Sequence, residues 1–163
     1  MNVHFRNTVR KSDISAVRKI LESSGFFHDY EVSVGVELVE EHLAKGSEKS
    51  GYYFLFADAP DGDTIGYTCY GPIACTLGSF DLYWIAVHND FRGRGLGQQL
   101  LAETEKAIVK AGGRRIYIET SSREIYQPTR KFYEKCRYDV EAVLKDFYAT
   151  GDSKFVFVKV LDA

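Results

Sequence analysis

The stretch Val87-His88-Asn89-Asp90-Phe91-Arg92-Gly93-Arg94-Gly95-Leu96-Gly97 joins an apolar run to a long amphipathic segment through a basic, glycine-rich turn. Glycines at 93, 95 and 97 let the backbone approach an anion closely. Successive N–H groups at a helix start point at that anion with the helix dipole behind them, so the turn is shaped to hold phosphate. Upstream, Phe80 to Val87 is nearly continuous in large apolar residues, which predicts a strand buried on both faces. Downstream, Leu96, Leu100, Thr104, Ile108 and Ala111 recur at helical spacing, Gly112-Gly113 ends that helix, and Arg114 to Thr120 is the next strand. A helix between two buried strands implies a right-handed crossover, with the glycine turn at the carboxyl end of the first strand.

The flanking chain extends this α/β pattern. Val3 to Arg6 is a short strand, and Ser12 reads as the N-cap of a helix carrying Ile14, Val17, Ile20 and Leu21 and stopped by Gly25. An aromatic and acidic loop, Phe26 to Glu31, precedes a helix marked by Val36, Val39 and Leu43 that ends near Gly46. Tyr52 to Ala57 and Thr64 to Tyr70 form an antiparallel hairpin around Pro60-Asp61-Gly62-Asp63. A further helix runs from about Pro128 to Lys135, proline suiting its first turn. Tyr138 to Phe147 and Lys154 to Val160 are the closing strands, with Asp146 to Lys154 read as a long hairpin tip. Residues 1–163 read as one continuous domain without repeats or linkers.

Composition narrows the function. A net charge of −2 and a pI near 6.1 leave no electrostatic footprint for nucleic acid or for an anionic membrane surface, so Arg92 and Arg94 are local chemistry. Three cysteines at 69, 75 and 136 with no C-x-x-C pair indicate neither a disulfide framework nor a thiolate zinc site, and the reduced setting expected is the cytoplasm. His28, His42 and His88 are too scattered for a metal site, so no metal is expected. No apolar run is long enough to span a bilayer.

The turn by itself admits more than one phosphate ligand. A dinucleotide fingerprint finds a strand, glycines, a helix and a second strand ending in Glu119. Its G-x-G-x-x-G register fails, because Gln98 stands at the third glycine position and five residues separate Val87 from Gly93. No Gly-Lys-Ser/Thr follows, as a phosphate-loop NTPase requires. The turn does match R-x-x-G-x-G through Arg92, Gly95 and Gly97, and Phe132-Tyr133-Glu134-Lys135 follows on a later helix. In these features the chain resembles the GCN5-related N-acetyltransferases, the GNAT family, with Leu82 to Val87 similar to that family's fourth strand. Two positions depart from the family pattern. Tyr126 stands where asparagine often opens the third helix, and Arg137 where a glycine often follows the Phe-Tyr-Glu-Lys segment.

The resemblance implies a mixed, strongly twisted sheet of about seven strands flanked by about four helices. It also implies acetyl-CoA as donor and CoA as product. The pyrophosphate would sit on the amides of Arg92, Gly93, Arg94, Gly95, Leu96, Gly97 and Gln98, and the pantetheine arm alongside Ile85, Ala86 and Val87. A bulge in the fourth strand would splay it from the fifth, leaving backbone groups to bond that arm and polarise the thioester. Tyr133, matching the family's helix-borne tyrosine, would protonate the departing thiolate; its structural alternative is a core tyrosine beside Phe132.

Acetyl transfer to an amine also needs an acceptor for the amine's proton. Glu119 could take it directly or through water, or could be a strand-end carboxylate paired with Arg114 or Arg115. A water chain without a dedicated base stays open. Asp81 could hold the acceptor's cationic group, and Glu31, with Phe26, Phe27 and Tyr30, could wall the acceptor pocket. In the polar segment Thr120 to Arg130, Thr129 is expected toward the cofactor and Thr120 and Ser121 toward the acceptor. Tyr148 could reach the acceptor or be an exposed turn residue. The carboxylates suggest a cationic small-molecule amine such as a polyamine, amino acid or aminoglycoside, a protein N-terminus or lysine stays open as the alternative acceptor, and a homodimer is compatible with the sequence. A CoA-binding sensor without turnover and a nicotinamide-dependent oxidoreductase are the two competing classes.

Overall fold

The computed structural model describes residues 2–161. Among them, seven strands and four α-helices follow in the order β1 (His4–Arg6), α1 (Asp13–Ser23), α2 (Asp29–Ser50), β2 (Tyr53–Asp58), β3 (Thr64–Pro72), β4 (Ser79–Val87), α3 (Leu96–Lys110), β5 (Arg115–Ser121), α4 (Gln127–Lys135), β6 (Asp139–Ala149) and β7 (Asp152–Val160). The strand order is β1-β2-β3-β4-β5-β7-β6. β4 and β5 are parallel, as their helical crossover requires, while β1–β2, β2–β3, β5–β7 and β6–β7 are antiparallel, giving the expected mixed sheet. No helix among the described residues is long and apolar enough to cross a membrane. The chain divides into two compact units: residues up to Gly71 with Trp84–Ala107, and Pro72–Tyr83 with residues from Ile108 onward.

In the first unit, Val17, Ile20 and Leu21 of α1 and Val32, Val36 and Val39 of α2 bury against Phe54, Phe56, Tyr67 and Cys69 of the β2–β3 hairpin. On the other strand face, Leu55, Ala57, Ile65 and Val87 meet Leu96 and Leu100, seating the first turns of α3. Two local expectations change and one holds. Ser12 makes no capping bond; instead Asp13 Oδ2 accepts the Arg10 N–H at 2.6 Å, because that carboxylate is held in place by Arg6. Tyr30 and Glu31 lie inside α2 rather than in a loop, since Glu31 Oε2 accepts the His28 N–H at 2.8 Å and closes the first turn. Gly46 does interrupt the helix, with a non-helical φ of 79° and ψ of 168°, and a further helical stretch continues from it to Ser50.

The second unit pairs β5 with β7 from Arg115↔Val160 to Ser121↔Lys154. On its other side β5 meets β4 only through Ser79↔Arg115, Phe80↔Ile116 and Asp81↔Tyr117. Both strands continue beyond that point, and no further β4–β5 pair forms among the described residues. The two-sided burial expected for β4 does not extend along it: Tyr83 is 40% exposed, having passed the end of that pairing. The helix α4 closes its last turn with Arg137 N–H on the Glu134 carbonyl and Tyr138 N–H on that of Tyr133, which holds Arg137 at φ 65°. A non-glycine residue therefore takes the left-handed position at a modest cost. The closing hairpin is tighter at its tip than expected, turning over Thr150 and Gly151. The extra length appears as a register shift between Leu144 and Ala149 in β6, with Asp146 at φ 52°.

Candidate functional site

The predicted donor-binding residues all lie in the first unit except Thr129, which is in the first turn of α4. Gly93 and Gly95 have φ of 73° and 78°, and a Cβ built on either meets nothing within 4 Å. The backbone there is bare and left-handed, a conformation that glycine adopts without strain. The first backbone bond into α3 runs from the Gln99 N–H to the Gly95 carbonyl at 3.1 Å, so the amides of Leu96, Gly97 and Gln98 precede the helical ladder. Arg92 and Arg94 are exposed on either side of Gly93. Arg92 Nε donates to the Val87 carbonyl at 3.2 Å, and the Arg94 guanidinium lies 5.7 Å from the centre of the Phe91 ring. Leu96 anchors the turn by burial, and Ala86 and Val87 are buried while Ile85 is half-buried. The residues present fit a pyrophosphate: open amides, a helix start and two flexible guanidinium groups.

The proposed chemical groups lie in the second unit. Paired residues share a face and neighbours along a strand alternate. Asp81 is registered with Tyr117, and Glu119 follows two residues on, so the two carboxylates share one face of the β4–β5 pair. Val156, Val158 and Lys154 continue that face on β7. Glu119 pairs with neither arginine considered for it. Its Oε1 accepts from Lys154 Nζ at 3.0 Å, and the same ammonium lies 3.8 Å from the centre of the Phe147 ring. Lys154 is 11% exposed there, against 52% for Glu119. Burial, and then the Glu119 charge, raise the Asp81 carboxyl above the usual range, with Lys154 pulling the other way. Tyr148 belongs to the same neighbourhood rather than to a free turn. Burial, Glu119, Asp152 and Tyr126 push its phenol up to about 12.

Thr120 separates from this group, and Ser121, on the same face as Glu119, is bonded elsewhere. Thr120 alternates onto the opposite face, while Ser121 Oγ donates to Asp152 Oδ1 at 2.5 Å and accepts the Arg123 N–H at 3.1 Å. Tyr133 lies on the Thr120 face: its ring centre is 5.5 Å from Phe157 and 5.4 Å from Phe132. The aromatic packing and the family-like position coexist in one residue. Burial, and then Cys136, raise the Tyr133 phenol well above its ordinary value, which favours its neutral form. Glu31, in the first unit, is occupied as the helix cap of α2. Among the described residues no group of three His, Cys, Asp or Glu side chains could hold a metal.

The sequence reading missed Lys154 and Phe147. A signal for Lys154 existed: it shares the parity of Val156 and Val158 in an apolar strand, so its charge had to face the same side as theirs. None existed for Phe147, which reaches the lysine through the β6 register shift.

Comparison with known proteins agrees with this architecture. A protein of Desulfovibrio desulfuricans assigned to the GNAT acetyltransferases superposes with a TM-score of 0.95 at 45% identity, covering 99% of this chain and 100% of that one. An aminoglycoside 6'-N-acetyltransferase in complex with coenzyme A shares the fold with a TM-score of 0.76 at 18% identity, covering 100% of this chain and 98% of that one. An acetyltransferase of Pectobacterium atrosepticum is 31% identical over 72 residues, which is 41% of this chain and spans half the length of that protein. The sequence profile of the Acetyltransferase (GNAT) family matches residues 16–138, the stretch that holds the glycine turn, both carboxylates and Tyr133, and the chain belongs to that family as an acetyltransferase.

Proposed function

We propose that this protein is an acetyl-CoA-dependent N-acetyltransferase whose acceptor is the primary amine of a small, cationic molecule. The observation that carries the donor assignment is the open amide turn at Gly93 and Gly95, flanked by Arg92 and Arg94. Amides from Arg92 to Gln98 would hold the pyrophosphate, the Ile85 to Val87 backbone would run beside the pantetheine, and Thr129 would add a hydroxyl contact. When bound, acetyl-CoA supplies an acetyl thioester open to attack by a neutral amine.

Asp81 and Glu119 have two tasks on their shared face. Their excess negative charge over Lys154 favours a cationic acceptor, and together they take the proton that the amine must lose. Lys154 holds Glu119 in place as an ion pair, while the raised affinity of Asp81 makes that residue the better resting place for the proton. Tyr133, neutral and buried, donates its proton to the departing thiolate and recovers one by exchange with solvent. One proton enters at the carboxylates for each that leaves the phenol.

Release of free thiol from acetyl-CoA across a panel of amines tests this reading. The expected outcome is acceptor-dependent release with small cationic amines and tight CoA binding. Binding of CoA with no thiol released for any amine would instead make the protein a CoA sensor. Preference for NAD over CoA would remove the donor assignment altogether.

A further inference from the structure

Thr120 poses a problem that the assignments above leave unsolved. It is 6% exposed, and its Oγ1 is fully buried with no hydrogen-bond partner among the described residues. A hydroxyl buried in this way gives up its hydration for nothing, and the large majority of buried polar atoms do find partners. Its neighbour Ser121 shows the usual outcome, with its hydroxyl bonded to Asp152 and to the Arg123 amide.

The position of Thr120 in the sheet indicates where a partner would come from. Pairing between β4 and β5 ends at Asp81↔Tyr117, whereas β7 stays paired with β5 through Thr120↔Phe155 and Ser121↔Lys154. Thr120 therefore stands on the stretch of β5 that has no pairing with β4. Its side chain shares a face with Ile118, Phe155 and Phe157, away from Asp81 and Glu119. That is the face covered by α4. Tyr133 packs on Phe157 with ring centres 5.5 Å apart. One turn earlier in α4, the Arg130 guanidinium lies 5.3 Å from the centre of Phe155, the cross-strand partner of Thr120, and Arg130 Nη1 donates to the Ser121 carbonyl at 2.7 Å. Arg130 spends its guanidinium on Phe155 and on the Ser121 and Arg123 carbonyls, and the threonine hydroxyl stays unmet.

We infer that Thr120 Oγ1 is a second hydrogen-bond donor to the sulfur of coenzyme A, serving beside Tyr133 on the face of β5 covered by α4. The inference rests on the reading of Tyr133 as the group that meets the thiolate. In the transfer, the amine nitrogen bonds to the acetyl carbon and the carbon–sulfur bond breaks with its electron pair going to sulfur. Tyr133 gives sulfur a proton, and the Asp81–Glu119 pair takes the amine's. Thr120 keeps its own proton and stabilises the developing charge by its hydrogen bond alone, a contact that strengthens as sulfur becomes anionic.

The test compares the parent with Thr120→Val, which keeps the shape, and Thr120→Ser, which keeps the hydroxyl. Calorimetric titration with CoA and with desulfo-CoA, which lacks the sulfur, requires no acceptor. The parent and Thr120→Ser should prefer CoA, and Thr120→Val should lose about tenfold of that preference, the size of one modest hydrogen bond. The thermal midpoint of Thr120→Val should equal or exceed the parent's, because it removes an unsatisfied hydroxyl. Turnover of acetyl-CoA by Thr120→Val should fall about tenfold with KM within about twofold. An unchanged preference between the two nucleotides in Thr120→Val overturns the inference, as does a parent that shows no such preference. If Tyr133→Phe is slow while Thr120→Val turns over like the parent, Thr120 alone is rejected; if the parent binds neither nucleotide, the donor assignment and this inference fail together.

Discussion

Two clusters in this chain each set a largely buried cation beside a pair of carboxylates, and their electrostatic outcomes are opposite. In the first unit Arg6 lies between Asp13 and Asp58, at 2.6 Å from each. Its remaining donors reach the Thr8 carbonyl at 2.6 Å and Thr64 Oγ1 at 3.0 Å, and its guanidinium lies over Phe56. In the second unit the Lys154 ammonium lies over Phe147 and pairs with Glu119, with no ion pair to Asp81 among the described residues. The planar guanidinium can saturate two carboxylates at once, whereas a point-charge ammonium on a flexible stem serves one. Burial raises the Asp58 carboxyl, but hydrogen bonds from Arg6 and Thr64 and the charges of Arg6 and Arg10 outweigh it, and the net displacement is downward. For Asp81 burial acts with Glu119, and the net displacement is upward. One cluster is a closed structural tie; the other keeps a carboxylate with affinity to spare, as a proton acceptor needs.

Removing the cation from the closed tie should have the largest effect. Arg6→Met leaves the buried Asp13 carboxylate without a cation and Asp58 with only Arg10 at 3.6 Å, and should cost about 3–5 kcal/mol of stability, read from the denaturant midpoint. A loss below about 1 kcal/mol would show that water compensates the pair and that the tie is not closed. Next, Asp81→Asn should lower kcat/KM for the amine by about a hundredfold, while the melting temperature stays near the parent's or rises. If the protein instead unfolds readily and keeps its turnover per folded molecule, the second cluster is merely another tie.

Lys154→Met gives a smaller, signed effect. Lys154 lowers the Asp81 value, so its removal raises it further, and the acid limb of the kcat/KM profile should move to higher pH by up to about one unit. A profile that does not move would uncouple Lys154 from the proton acceptor. The smallest effect is on stability in acid. Because the folded Asp58 value lies below the ordinary 3.8, its contribution is present above that pH and is lost as pH falls through the folded value. Asp58→Asn should therefore flatten the stability curve between about pH 4 and pH 2 and leave its shape above pH 5 unchanged.

These differences mark how far the sequence could be read. The β4–turn–α3–β5 crossover was legible because it is consecutive in the chain and its apolar spacing changes period within a few residues of Val87. The capping role of Glu31 was missed although it is local, because a carboxylate three residues into a helix reads equally well as a pocket wall. Ser12 failed as a cap for a nonlocal reason: Asp13 is preoriented by Arg6, which is itself held by Asp58 across the β1–β2 pairing. The two-sided burial expected of β4 depended on where its partner strand departs, and nothing in β4 records that.

The glycine turn proposed to hold phosphate is built from residues within one helical turn of one another. Gly93, Gly95 and the first amides of α3 occupy their places through local backbone geometry, so their conformation was readable from residue type and spacing. The acidic face was decided by folding. Lys154, Phe147 and Glu119 come from three strands, and they meet through the β5–β7 register and the displaced β6 residues. A one-residue slip in either pairing would turn the lysine to the opposite face. The same alternation sends Thr120 to the side of Tyr133 while its neighbour Glu119 faces Asp81. Membership of a face is set by long-range strand pairing, which the chain encodes only through the energy of the whole packed sheet.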